Sequence, residues 1–121
     1  MSGAASMPIG CLLVIAPDRD VRSALVFTLE ADGFDVTARS KIPSLAWTES
    51  HRFDCTVLDH KAITGEPDAT IAFCIKASPV LLLASRPIPW LNDWVTRTVE
   101  QPAADDSLGD AIRTALQVGA S

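Results

Sequence analysis

A chain of 121 residues, 48% hydrophobic and 21% charged, has the size and composition of one folded domain rather than of a disordered segment. Its formal net charge of −5 sets the average field against nucleic-acid phosphates, and no cluster of Lys and Arg offsets it, which argues against nucleic-acid binding. The longest apolar runs, residues 12–16 and 80–84, are too short to span a bilayer, and the first ten residues lack the positive charge of a signal peptide.

Residues 11–15 form a continuous apolar run, as expected of a strand buried on both faces. Asp18 or Asp20 can cap a helix over 21–31, with Val21, Ala24, Leu25, Thr28 and Leu29 on its inward face and Gly33 closing its C-terminus. Residues 34–38 alternate in polarity and predict a strand at a sheet edge. A short helix over 43–51 would turn Leu45, Ala46 and Trp47 inward. The third strand, 55–58, ends on Asp59, and 60–67 is loop-like. A helix over 69–77 leads to a fourth strand, 79–83, as apolar as the first. Arg86-Pro-Ile-Pro breaks the chain, and 90–94 has room for a short helix at most. A fifth strand over 96–99 precedes a helix capped by Asp106, with Leu108, Ala111, Ile112, Ala115 and Leu116 on one face.

Strands alternating with helices predict an α/β fold: a doubly wound five-stranded parallel sheet with helices on both faces, in one domain over 1–121 with its core at about 11–118. In such sheets the working crevice lies at the strand C-termini, here Ala16-Pro17-Asp18, Asp59-His60, Ala84-Ser85 and Gln101-Pro102. The three cysteines, Cys11, Cys55 and Cys74, form no Cys-x-x-Cys pair. They suit a reducing cytoplasm and small buried positions better than a redox site. His51 and His60 lack metal-ligand spacing with any cysteine.

The segments LLVIAPDRDVR (12–22), GFDV (33–36), FDCTVLD (53–59), SPVLLLA (78–84) and QP (101–102) together resemble the receiver domain of two-component response regulators. The resemblance runs from about Leu12 to Leu116 and implies a flavodoxin-like fold. It also implies phosphoryl transfer from a histidine kinase to an aspartate, which maps onto Asp59. That chemistry needs a carboxylate nucleophile, a divalent cation held by further carboxylates, and a hydroxyl and a lysine for the phosphoryl oxygens.

Residue by residue, the acidic pair that would hold Mg²⁺ maps onto Ala16 and Pro17. The hydroxyl position maps onto Ala84, with Ser85 following, and the lysine position onto Gln101. The aromatic switch position maps onto Thr98. Asp18, one place beyond the acidic pair, can either replace part of it or cap the helix. Only the acceptor is kept.

The segment between Ala84 and Gln101 is about one helical turn shorter than is usual in that family, so the fourth helix is shortened. Its Trp90, Leu91 and Trp94 either form a partner surface or fold down into the vacated space. Val26 and Phe27, off the inward face of the first helix, are a second candidate surface.

The leading expectation is therefore a non-enzymatic, atypical receiver without cofactor or resident metal. It would signal through protein–protein contact with a histidine kinase, an effector or a second copy in a homodimer. A phosphoacceptor dependent on Mg²⁺ is the competing expectation. A small-molecule-binding module using the crevice above the sheet is the third.

Overall fold

The computed structural model describes residues 10–100 and 107–120. Five strands, β1 (Cys11–Ile15), β2 (Asp35–Arg39), β3 (Cys55–Asp59), β4 (Val80–Ala84) and β5 (Arg97–Glu100), form one parallel sheet in the order β2-β1-β3-β4-β5. The helices are α1 (Arg19–Ala31), α2 (Leu45–Ser50), α3 (Pro67–Ala77) and α4 (Ser107–Ala120), with a 3-10 turn at His60–Ala62. This is the doubly wound parallel sheet that the alternation of elements predicts, in the flavodoxin-like arrangement that the receiver resemblance implies.

Period-two alternation of the strands divides the core into two layers. Leu12, Val14, Cys55, Val57, Leu81, Leu83 and Val99 face α1 and α4, meeting Leu29, Ala111, Ile112 and Ala115. Leu13, Ile15, Leu58, Val80, Leu82 and Ala84 face the other way, against Phe73, Cys74 and Ala77 of α3. The three central strands are buried on both sides, which is why β1 and β4 read as unbroken apolar runs, whereas β2 at the edge is largely exposed.

α1 ends as its sequence foretells. Gly33 takes φ +100°, its N–H donates to the Glu30 carbonyl at 3.0 Å, and the Phe34 N–H donates to that of Leu29 at 3.1 Å. This pair of bonds satisfies carbonyls at the helix end, and it places Phe34 beside Leu29 in the core. The inward face of α1 differs from expectation. Ala24 and Thr28 are exposed, while Leu29 is buried, Leu25 packs against the first core layer, and Val21, Arg22 and Val26 are half-buried. Leu25 and Leu29 hold the contact with the sheet, and the small or polar Ala24 and Thr28 have little apolar surface to bury there.

α2 is likewise rotated: Leu45 and Ala46 are exposed, and Thr48 and Trp47 turn inward. Ser44 fixes this start by accepting the Trp47 N–H on its hydroxyl at 3.1 Å, and the Trp47 ring then stacks on His51 with Arg39 over it.

The connection from β4 to β5 holds turns rather than a shortened helix. Leu91 N–H donates to Ile88 and Trp94 N–H to Leu91, each at 2.9 Å, and Pro87 and Pro89 preclude a longer ladder. Leu91 is fully buried with Val95 in the second core layer, so it belongs to the core and not to an interface. Trp90 and Trp94 remain 40% and 45% exposed. The vacated space is thus filled by Leu91 and Val95 rather than by the indoles. Gln101, Pro102 and the expected cap Asp106 lie outside the described residues.

Candidate functional site

Parallel pairing aligns Ile15 with Leu58 and Asp59 with Leu83, so Ala16, Asp59 and Ala84 end three adjacent strands. The chain leaves β1 toward β2 on one side and β3 toward β4 on the other, which opens the crevice between the two strand ends. Asp59 lies there, 2% exposed, at the last position of β3.

Its carboxylate is already engaged. Oδ1 accepts the Lys61 N–H at 3.0 Å, capping the 3-10 turn. The His60 Nδ1 lies 3.4 Å from the same oxygen and donates to the Leu83 carbonyl at 3.1 Å. His60 therefore ties the turn to β4. When protonated, its imidazolium, one-third exposed, supplies positive charge beside the buried carboxylate.

Across the crevice the first two residues after β1 carry no carboxylate. Ala16 is buried and its N–H donates to the Arg39 carbonyl at 3.0 Å, while Pro17 is exposed. Asp18 caps α1: its Oδ1 accepts the N–H groups of Asp20 at 2.8 Å and Val21 at 3.1 Å. Ala84 is buried, Ser85 is exposed, and Gln101 lies outside the described residues. Thr98, on β5 beside Leu82, has a buried hydroxyl with no hydrogen-bond partner among the described residues.

Arg22 escaped the sequence reading. Its Nη1 donates to the carbonyls of Ala16 at 2.9 Å and Pro17 at 3.2 Å, setting a cation on the loop after β1. Its place in the first turn of α1, four residues after Asp18, was the available signal.

A divalent cation of the Mg²⁺ type seeks several hard oxygen ligands, typically including one or two carboxylates. Ala16 and Pro17 contribute no side-chain oxygen, Asp18 Oδ1 caps α1, and Arg22 brings like charge. Among the described residues no group of three or more His, Cys, Asp or Glu side chains is placed to hold a metal. The donor set does not fit such an ion.

No protein-family model and no curated protein matches the sequence. Solved structures do match the fold. Full-length FixJ from B. japonicum superposes with a TM-score of 0.74 at 21% identity, over 93% of this chain. The chain spans 60% of that protein's length. A CheY-like receiver domain from Methanospirillum hungatei gives a TM-score of 0.74 at 15% identity, covering 91% of this chain and 95% of its own. Vibrio cholerae chemotaxis protein CheY4 gives 0.69 at 18% identity, covering 87% and 97%. The chain has the fold of a response-regulator receiver domain.

Proposed function

We propose that this chain is an atypical receiver domain that acts in signal transduction through protein–protein contact, without Mg²⁺-dependent phosphorylation. The observation that carries this reading is the pairing of an intact, buried Asp59 with a facing loop of Ala16 and Pro17 whose carbonyls are held by Arg22. Phosphoryl transfer to a carboxylate brings two anions together and depends on cations placed around the transferring group. Each preorganised donor lost costs about 10²- to 10³-fold in rate, so two such losses leave phosphorylation negligible. Asp59 then serves the fold, capping the turn that His60 fastens to β4.

Recognition falls to the surface. Phe27 is 78% exposed on α1 with Val26 half-buried beside it, and Trp90 and Trp94 present partly open indoles beyond β4. The partner is a histidine kinase, an effector or a second copy of the chain. Replacing Phe27 by Lys, with mass followed by light scattering and partner capture followed by pull-down, tests the α1 face; no change in either removes it.

The reading of Asp59 is tested by following tryptophan fluorescence during Mg²⁺ titration and then adding acetyl phosphate, with intact mass as a second readout. A flat titration and an unchanged mass are expected. Millimolar Mg²⁺ affinity with a mass gain abolished in Asp59→Asn would replace this reading with the phosphoacceptor one.

A further inference from the structure

An open cleft of about 730 Å³ lies between the loop after β2, the 3-10 turn and the first residues of α3. The segment 40–43, between β2 and the six-residue α2, forms one wall of it. Ile42, Leu45, Ala69 and Phe73 give it apolar walls, and the exposure of Leu45, unexplained by helix packing, follows from its place on the rim.

Two cations, Lys41 and Lys61, stand among the lining residues, with no Asp or Glu. Neither has a carboxylate within ion-pair distance among the described residues. An adjoining cleft of about 530 Å³ shares Lys41, adds Arg22 and Arg39, and is again lined by no acid. A chain of net charge −5 has thus gathered positive charge along one edge of the sheet, beside an apolar hollow. Fields of one sign focused in a cleft raise the local concentration of the opposite ion.

We propose that this cleft binds a small organic oxyanion with an apolar body, a carboxylate or a phosphate ester on an aromatic or aliphatic group. The volume falls in the range of about 300–1,000 Å³ common to small-molecule sites, and such sites pair apolar walls with a few polar anchors. The body lies against Phe73, Ile42 and Ala69, and the oxyanion lies between Lys41 and Lys61. An inorganic anion alone would leave the apolar walls wet, and a neutral ligand would leave the lysines unused. Lys61 also belongs to the turn capped by Asp59, so an occupant bears directly on the crevice. The inference stands whether or not Asp59 accepts a phosphoryl group.

The test is a ¹H–¹⁵N NMR titration of the full chain with four probes: naphthalene-2-carboxylate, 2-naphthyl phosphate, the neutral naphthalene-2-carboxamide and inorganic phosphate. At least one amphipathic anion is expected to shift the amides of residues 40–45 and 61–73, and the arm that binds tighter names the oxyanion. Two exposed charge contacts of about 0.2–1 kcal/mol each correspond to a loss of about 2- to 30-fold in affinity, expected both for the carboxamide and for the Lys41→Gln/Lys61→Gln variant. Ala69→Trp, checked for folding by circular dichroism, is expected to block every probe by filling the cleft. The proposal is overturned if neither anion shifts these amides at millimolar concentration, or if the carboxamide binds as well as the anions. It is equally overturned if the double lysine variant binds undiminished, or if inorganic phosphate alone matches the amphipathic anions.

Discussion

The guanidinium of Arg22 reaches back over one helical turn to donate to the carbonyl of Ala16 at 2.9 Å. This bond locks the start of α1 onto the end of β1, and it makes the rim of the crevice cationic at the point where the receiver resemblance calls for carboxylates. Hydrogen bonds from charged donors to neutral acceptors contribute about 1.5–3 kcal/mol, at the lower end when partly exposed. Arg22→Ala is therefore expected to lower unfolding stability by about 1–2 kcal/mol in urea titrations while leaving the Mg²⁺ response flat. A loss too small to resolve would mean that the bond is idle in solution.

Leu91 and its tryptophan neighbours divide the work of the connection between β4 and β5. Leu91 is 0% exposed in the second core layer, so Leu91→Ala removes buried methyl groups and opens a cavity, costing about 2–4 kcal/mol. Trp90→Ala and Trp94→Ala are each expected to cost less than half as much, since both indoles are 40–45% exposed. Chemical denaturation of the three variants decides it; equal losses would place the indoles in the core.

Thr98 carries a buried hydroxyl that no other described group meets. Burial without a partner costs free energy that a methyl group of the same shape does not. Thr98→Val should raise stability by about 0.5–1 kcal/mol. A loss instead would reveal a partner for the hydroxyl in solution.

The buried thiols give a pH signature. Desolvation pushes Cys55 up to about 12 and Cys74 up to about 11, both from 9.0. A group raised on folding stabilises fully below its unfolded value and loses that contribution as pH climbs toward the folded one. The window therefore opens at pH 9 and closes near 12 for Cys55 and near 11 for Cys74. Each thiol contributes a slope of about 1.4 kcal/mol per pH unit inside its window. Urea midpoints at pH 8, 10 and 11 should fall more steeply for the native chain than for Cys55→Ala/Cys74→Ala. Parallel declines would show that other groups govern the alkaline loss.

The sequence by itself determined the sheet, because strands buried on both faces must be apolar throughout, and the runs at 11–15 and 80–84 have no other easy home. It determined the close of α1, since Gly33 at positive φ and the core contact of Phe34 are local matters. It also located Asp59 at a strand end and showed that Ala16 and Pro17 beside it carry no carboxylate.

Tertiary packing decided the rest. That Leu25 and Leu29 pack on the sheet while Ala24 and Thr28 stay exposed depended on a sheet whose position the helix alone does not encode. α2 turned Thr48 rather than Leu45 inward for the same reason, which left Leu45 on the rim of the cleft that Lys41 and Lys61 line. Ile42 and Phe73 line that cleft from 31 positions apart, and Lys41 and Lys61 from 20, and periods of two or 3.6 residues carry no trace of such distances. What the strand end of Asp59 faces, a capped turn and a cationic loop, became visible only once the register had set three strands side by side.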